Sequence, residues 1–143
     1  MVERGVIANR DRKLQVADMS GLRFGKITPT DLDAFIDFGD KLFVFIEGKF
    51  SGAPVLYGQM LAIERLCDAC DMPPRRYAFA IIVDHYAPSH QDVDFANTIV
   101  RTYRMGREWK HPLKRGTTLI EAINRLRAYV DNKTRLRVIG GDR

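Results

Sequence analysis

The chain has 143 residues, 45% hydrophobic and 29% charged, a balance that favours one domain with a single buried core (1–143). No apolar run approaches the roughly 18–20 residues that span a bilayer, and Met1-Val2-Glu3-Arg4-Gly5 lacks the features of a secretory signal, so the expectation is a soluble cytoplasmic protein with no membrane partner. The net charge is +5, and two cysteines make no disulfide framework and fit a reducing compartment.

In chain order, Asn9–Met19 is weakly amphipathic and predicts a short helix or a docked arm. Gly21–Ile27 predicts a first strand, interrupted by Gly25 and ended by Thr28-Pro29-Thr30. Two more strands follow, at about Asp31–Phe38 and Lys41–Phe50, with Gly39-Asp40 between them as a tight-turn signal. The second of these is nearly all apolar, as in a strand buried on both faces. From Val55 the period becomes helical, with Leu56, Met60, Ile63, Leu66 and Cys67 on one stripe to about Cys70, and Met72-Pro73-Pro74 stops it. Tyr77–Val83 predicts a buried strand, and Asn97–Tyr103 an edge strand. Arg104–Arg115 predicts a basic loop. Thr117 or Thr118, with Glu121, predicts a capping box opening a last helix that Asp131-Asn132-Lys133 closes. Strands interleaved with helices imply an α/β fold with a sheet covered by helices.

One constellation stands apart from the needs of folding. Folded as a hairpin, the two middle strands bring Asp33 beside Glu47, and alternation puts Glu47 and Lys49 on one face. Two carboxylates can hold a hard divalent cation, with the Gly48 carbonyl as a further oxygen. A lysine that cannot ligate while protonated can stabilise developing negative charge. Such a set suits phosphodiester hydrolysis. Asp31 lies on the same face as Asp33 and competes with it for the first ligand position. A carboxylate at the mouth of an apolar strand such as Leu42–Ile46 is costly unless paired or metal-bound.

The pattern of Asp33, then Ile46-Glu47-Gly48-Lys49 fourteen residues on, resembles the PD-(D/E)xK nuclease superfamily of restriction endonucleases, archaeal Holliday junction resolvases and VRR-type modules. The resemblance covers roughly Gly21–Val83. It departs from the family in having Leu32, not proline, before Asp33. It implies a restriction-endonuclease-like core in αβββαβ order, a mixed sheet flanked by helices. It implies a DNA endonuclease using Mg²⁺ or Mn²⁺, with branched DNA among its substrates and RNA as an alternative. By position, Asp33, Glu47, Lys49 and Gln59 would be catalytic, and Asp33, Glu47 and Gly48 would hold the metal. Many members carry a further glutamate on the first helix, for which Glu3 is the acidic candidate here. Cutting two strands would call for a homodimer. The small size resembles resolvases and phage-encoded nucleases, which would act in the nucleoid or the host cytoplasm.

Charge is uneven along the chain. Residues 1–71 hold 9 Lys/Arg against 11 Asp/Glu, and residues 72–143 hold 14 against 7. Arg101, Arg104, Arg107, Lys110, Lys114 and Arg115 crowd one segment with Tyr103 and Trp109, a composition suited to a nucleic-acid backbone. A competing arrangement is Cys67-x2-Cys70, then fourteen residues, then His85-x4-His90. That spacing is close to a zinc finger, whose central gap is about 12. It would make the chain a non-enzymatic basic nucleic-acid module. Against it, the cysteines fall on a helix and the intervening residues form a core strand.

Overall fold

The structure, a computed structural model, describes residues 10–140, with side chains through residue 135. Two compact units result, Met1–Thr30 and Asp31–Arg143. In the first, α1 is a single turn at Arg10–Lys13. The strand expected over Gly21–Ile27 does not form. Gly25 takes φ +65° and reverses the chain, leaving only a bridge between Phe24 and Ile27. Such a conformation costs glycine little and breaks an extended run.

The second unit holds β1 (Ala34–Phe38), β2 (Leu42–Phe50), α2 (Tyr57–Cys70), β3 (Tyr77–His85), a 3₁₀ turn (Phe95–Asn97), β4 (Ile99–Met105), β5 (Glu108–Lys110) and α3 (Leu119–Gly140). The five strands form one sheet in the order β1-β2-β3-β4-β5. β2 and β3 run parallel and every other pair is antiparallel. The fold is thus α/β with a mixed sheet, as expected. Two strands rather than three precede α2, so the αβββαβ order is one strand short.

Period-two alternation sorts the core into two layers. Leu42, Val44 and Ile46 of β2 and Phe79, Ile81 and Val83 of β3 face one way, packed with Leu119, Ile123, Leu126 and Val130 of α3. Phe45, Ala78, Ala80 and Ile82 face the other way, packed with Ile63 and Cys67 of α2. Both faces of β2 and β3 are therefore covered, which explains their near-continuous apolar sequence.

Three boundaries differ from expectation. β4 is an interior strand running to Met105, because the short β5 folds back on it through a turn at Gly106 and Arg107, both at positive φ. The segment expected as a basic loop therefore contains a strand. α3 passes through Asp131-Asn132-Lys133 and ends at Gly140. Those three residues carry only small helix penalties, too small to end it there. Its start is as expected, since Thr118 Oγ1 accepts from the Glu121 N–H at 3.3 Å. Among the described residues, no helix is long and apolar enough to cross a membrane.

α2 is tied to the far strands by two polar links. Arg104 donates from Nε and Nη2 to both Asp68 oxygens at 2.8 and 2.7 Å, and Trp109 Nε1 donates to Glu64 Oε1 at 2.8 Å. The paired guanidinium holds the Asp68 carboxyl below its usual range. A depressed carboxylate pKa stabilises the fold above the unfolded value, near 4, and the contribution is lost as pH falls through the folded one. Asp68→Asn is expected to cost about 1–3 kcal/mol at pH 7 by urea denaturation, and the gap from wild type should close as pH is lowered below about 4. A pH-independent gap would mean that the ion pair is not its source.

Candidate active site

The hairpin that builds the site is set by its turn. Gly39 and Asp40 have φ of 63° and 64°, and the Lys41 N–H closes on the Phe38 carbonyl at 3.2 Å. Two successive positive φ angles match the twist of the flanking strands. The register then runs from Phe38↔Leu42 to Ala34↔Ile46, which brings Asp33 level with Glu47. Asp33 Oδ2 accepts the Gly48 N–H at 2.7 Å, pinning its carboxylate against the end of β2. Asp31 enters differently, through its backbone carbonyl, which accepts from Gln59 Nε2 at 3.2 Å. It is thus the Asp33 carboxylate that meets β2.

Glu47 continues the face that carries Phe43 and Phe45 beneath α2, and it is only 4% exposed. Its Oε1 lies 3.3 Å from Lys49 Nζ. Its Oε2 is buried with no hydrogen-bond partner. Burial first, and the negative charge of Asp33 second, push its carboxyl above the usual range, while Lys49 and Gln59 act in the opposite sense. Lys49 Nζ donates to Gln59 Oε1 at 2.9 Å, so the first turns of α2 hold the ammonium in place. Gly48 leaves room for Phe95, because a Cβ at that position would sit 2.9 Å from the ring.

Asp33, Glu47, Gly48, Lys49 and Gln59 therefore converge at one end of the sheet. Among the described residues, no three His, Cys, Asp or Glu side chains gather as a metal-binding group. A cation here would rest on two carboxylates, backbone oxygen and water, a donor set that suits Mg²⁺ or Mn²⁺ rather than zinc. The orphaned Glu47 oxygen fits such an ion. Glu3 lies outside the described residues.

The four Cys/His positions do not come together. Cys67 is packed against Ala78, Ala80 and Ile82, and burial pushes its thiol up to about 12, which keeps it protonated. His90 is in an exposed loop, and His85 ends β3 beside Phe50.

The basic set divides. Arg101 is committed to Asp84, with contacts of 3.1 and 2.5 Å, and Arg104 is buried against Asp68. Arg107 sits in the β4–β5 turn. Since β4 is antiparallel to β3, with Ala80↔Arg104 and Asp84↔Ile99, that turn lies at the opposite end of the strands from Lys49. Lys110 is half-buried and Lys114 and Arg115 are exposed. Trp109 anchors its strand to α2 rather than standing free.

Two contributors escaped the sequence reading. Asp84 is the register partner of Lys49, and it accepts from both Arg101 and the Gly52 N–H at 3.0 Å, fixing the turn just after Lys49. The parallel pairing of two long apolar strands was the signal that could have found it. Phe95, which fills the space beside Gly48, had no such signal.

No protein-family model matches the sequence, and neither a curated protein nor a solved structure is detectably similar to it.

A buried carboxylate oxygen without a partner is a cost that folding does not require. Net of Lys49 and Gln59, burial and the Asp33 charge still hold the Glu47 carboxyl above its usual range, so at neutral pH its negative charge weighs against the folded state. Glu47→Gln is therefore expected to raise the melting temperature in EDTA. A lower melting temperature would show that the carboxylate serves stability.

Proposed function

We propose that this chain is a metal-dependent DNA endonuclease with a restriction-endonuclease-like core. The observation that carries the reading is the buried, unpartnered Glu47 Oε2 beside Asp33, with Lys49 held on the same face by Gln59. Charges placed this way give no return in stability, and perturbed carboxylates cluster at functional sites.

Asp33, Glu47 and the Gly48 carbonyl would hold Mg²⁺ or Mn²⁺. Such an ion supplies a water of lowered pKa and stabilises charge on the phosphate. The chain's own groups do the rest. Asp33 is oriented by the Gly48 N–H and so presents a fixed carboxylate edge. The Lys49 ammonium offers positive charge to the phosphate oxygens as negative charge builds there. Gln59 restricts that ammonium to one position through its own tie to the Asp31 carbonyl. Lys114 and Arg115 supply exposed cations for the backbone. One such centre cuts one strand, and a homodimer would cut two.

Two measurements test the reading. In the first, supercoiled plasmid, forked DNA and four-way junctions are incubated with Mg²⁺ or Mn²⁺. Wild type is expected to cleave at least one of them, and Glu47→Ala and Lys49→Ala to be at least about 100-fold slower. Equal rates in all three proteins, or cleavage by none, would overturn it. In the second, Mn²⁺ is expected to raise the melting temperature of wild type and to leave that of Glu47→Ala unchanged.

A further inference from the structure

The core layer beneath α3 ends in a cavity of about 260 Å³ between α3 and the β3–β4 part of the sheet. Ile81, Val100 and Leu126 line it and belong to that layer, so strand alternation puts it on the face opposite Glu47 and Lys49. The chain makes this space by leaving the sheet edge and returning to it. β5 stays on β4 as far as Lys110, opposite Tyr103. The backbone next pairs with β4 at Thr117, whose carbonyl accepts the Val100 N–H at 2.9 Å. Residues 111–116 span the interval as a loop, and Ala122 on α3 offers the gap only a methyl group.

Three properties of the cavity define what fits it. Its interior is apolar, with Met105 of β4 completing the floor. An apolar cavity of about 150 Å³ takes up benzene, so by proportion this one holds about ten heavy atoms, a ring with a short tail or a medium acyl chain. Leu113 and Arg125 are the exposed members of the lining and mark its mouth. Leu113 is bare of any cover, and a ligand lying over it removes apolar surface from water. Arg76, Arg101 and Arg104 are each closed by an aspartate, whereas Arg125 has no carboxylate partner among the described residues. Its planar fork matches a carboxylate. Lys114 and Arg115 directly follow Leu113 and add exposed positive charge. That charge disfavours a second copy as the occupant. In a two-fold pairing the same patch meets itself, so these cations would oppose their own copies.

We propose that the cavity between α3 and β3–β4 binds a small apolar monocarboxylate. Its chain or ring lies against Val100, Met105 and Leu126, and its carboxylate meets the Arg125 guanidinium. The site is separate from the candidate metal centre and does not depend on the nuclease reading.

The test is binding to the full chain in EDTA, followed by isothermal titration calorimetry and by melting temperature. Octanoate and phenylbutyrate are the aliphatic and aromatic probes, with octanol and octylamine as neutral and cationic controls. At least one carboxylate is expected to bind at least about tenfold more tightly than either control. Arg125→Ala, altered at an exposed side chain, is expected to abolish that preference while octanol binds as it does to wild type. Ala122→Leu fills the cavity from the α3 side. It is expected to weaken carboxylate binding about tenfold or more and to keep the melting temperature at or above that of wild type. Failure of both carboxylates to bind, equal affinity for octylamine, or unchanged binding in either variant would overturn the proposal. So would a melting temperature lowered by Ala122→Leu, which would mean that the space is already filled. A wild-type dimer that Leu113→Asp splits would seat a second copy in the cavity and overturn it as well.

Discussion

The parallel pairing of β2 with β3 is the constraint on which everything else depends. It forces an intervening helix, because parallel neighbours cannot be joined by a tight turn. That helix covers one face and α3 covers the other. Ala78 and Ala80 present small side chains beneath α2, next to Ile63 and Cys67. Once β2 is buried on both sides, its alternation becomes strict. The side that hides Phe45 must then deliver Glu47 and Lys49 two and four residues later, at the point where helix cover ends. The polar cluster is thus a continuation of the core pattern and inherits its rigidity.

The charged residues of the second unit serve two different ends. Asp68 with Arg104, Asp84 with Arg101, and Asp40 with Arg76 are carboxylate–guanidinium pairs in which both partners are used up. They fasten α2, the turn after β2 and the hairpin tip. Around Glu47 the arrangement is unlike these. Asp33 takes a backbone N–H rather than a cation, the Lys49 ammonium is divided between Glu47 and Gln59, and one buried Glu47 oxygen is left over. Arginine's bidentate fork closes a pair completely, while a lysine leaves its surroundings open to a further partner. The residue type at each position therefore separates scaffold from site.

Much of this was legible in the sequence, and for identifiable reasons. β2, β3 and α2 announce themselves because long apolar runs and helical stripes override weaker signals. The nearness of Asp33 to Glu47 followed from one turn signal plus alternation. What was hidden depended on contacts far apart in the chain. Arg101 and Arg104 read as free cations because nothing local reveals that Asp84 and Asp68 lie opposite them. β5 was invisible as a strand because three residues carry no period. The Gly21–Ile27 strand was over-read, since its apolar residues outweighed a glycine that in fact turns the chain.

The anchoring of Trp109 has a practical side. It is the chain's one tryptophan, and its indole is tied to Glu64 on α2 with the Arg104 guanidinium 5.8 Å from the ring. The molecule thereby carries an intrinsic optical probe at a single defined joint. Its emission reports whether α2 is seated on the sheet, and since α2 also carries Gln59, the same signal follows the helix that steadies Lys49.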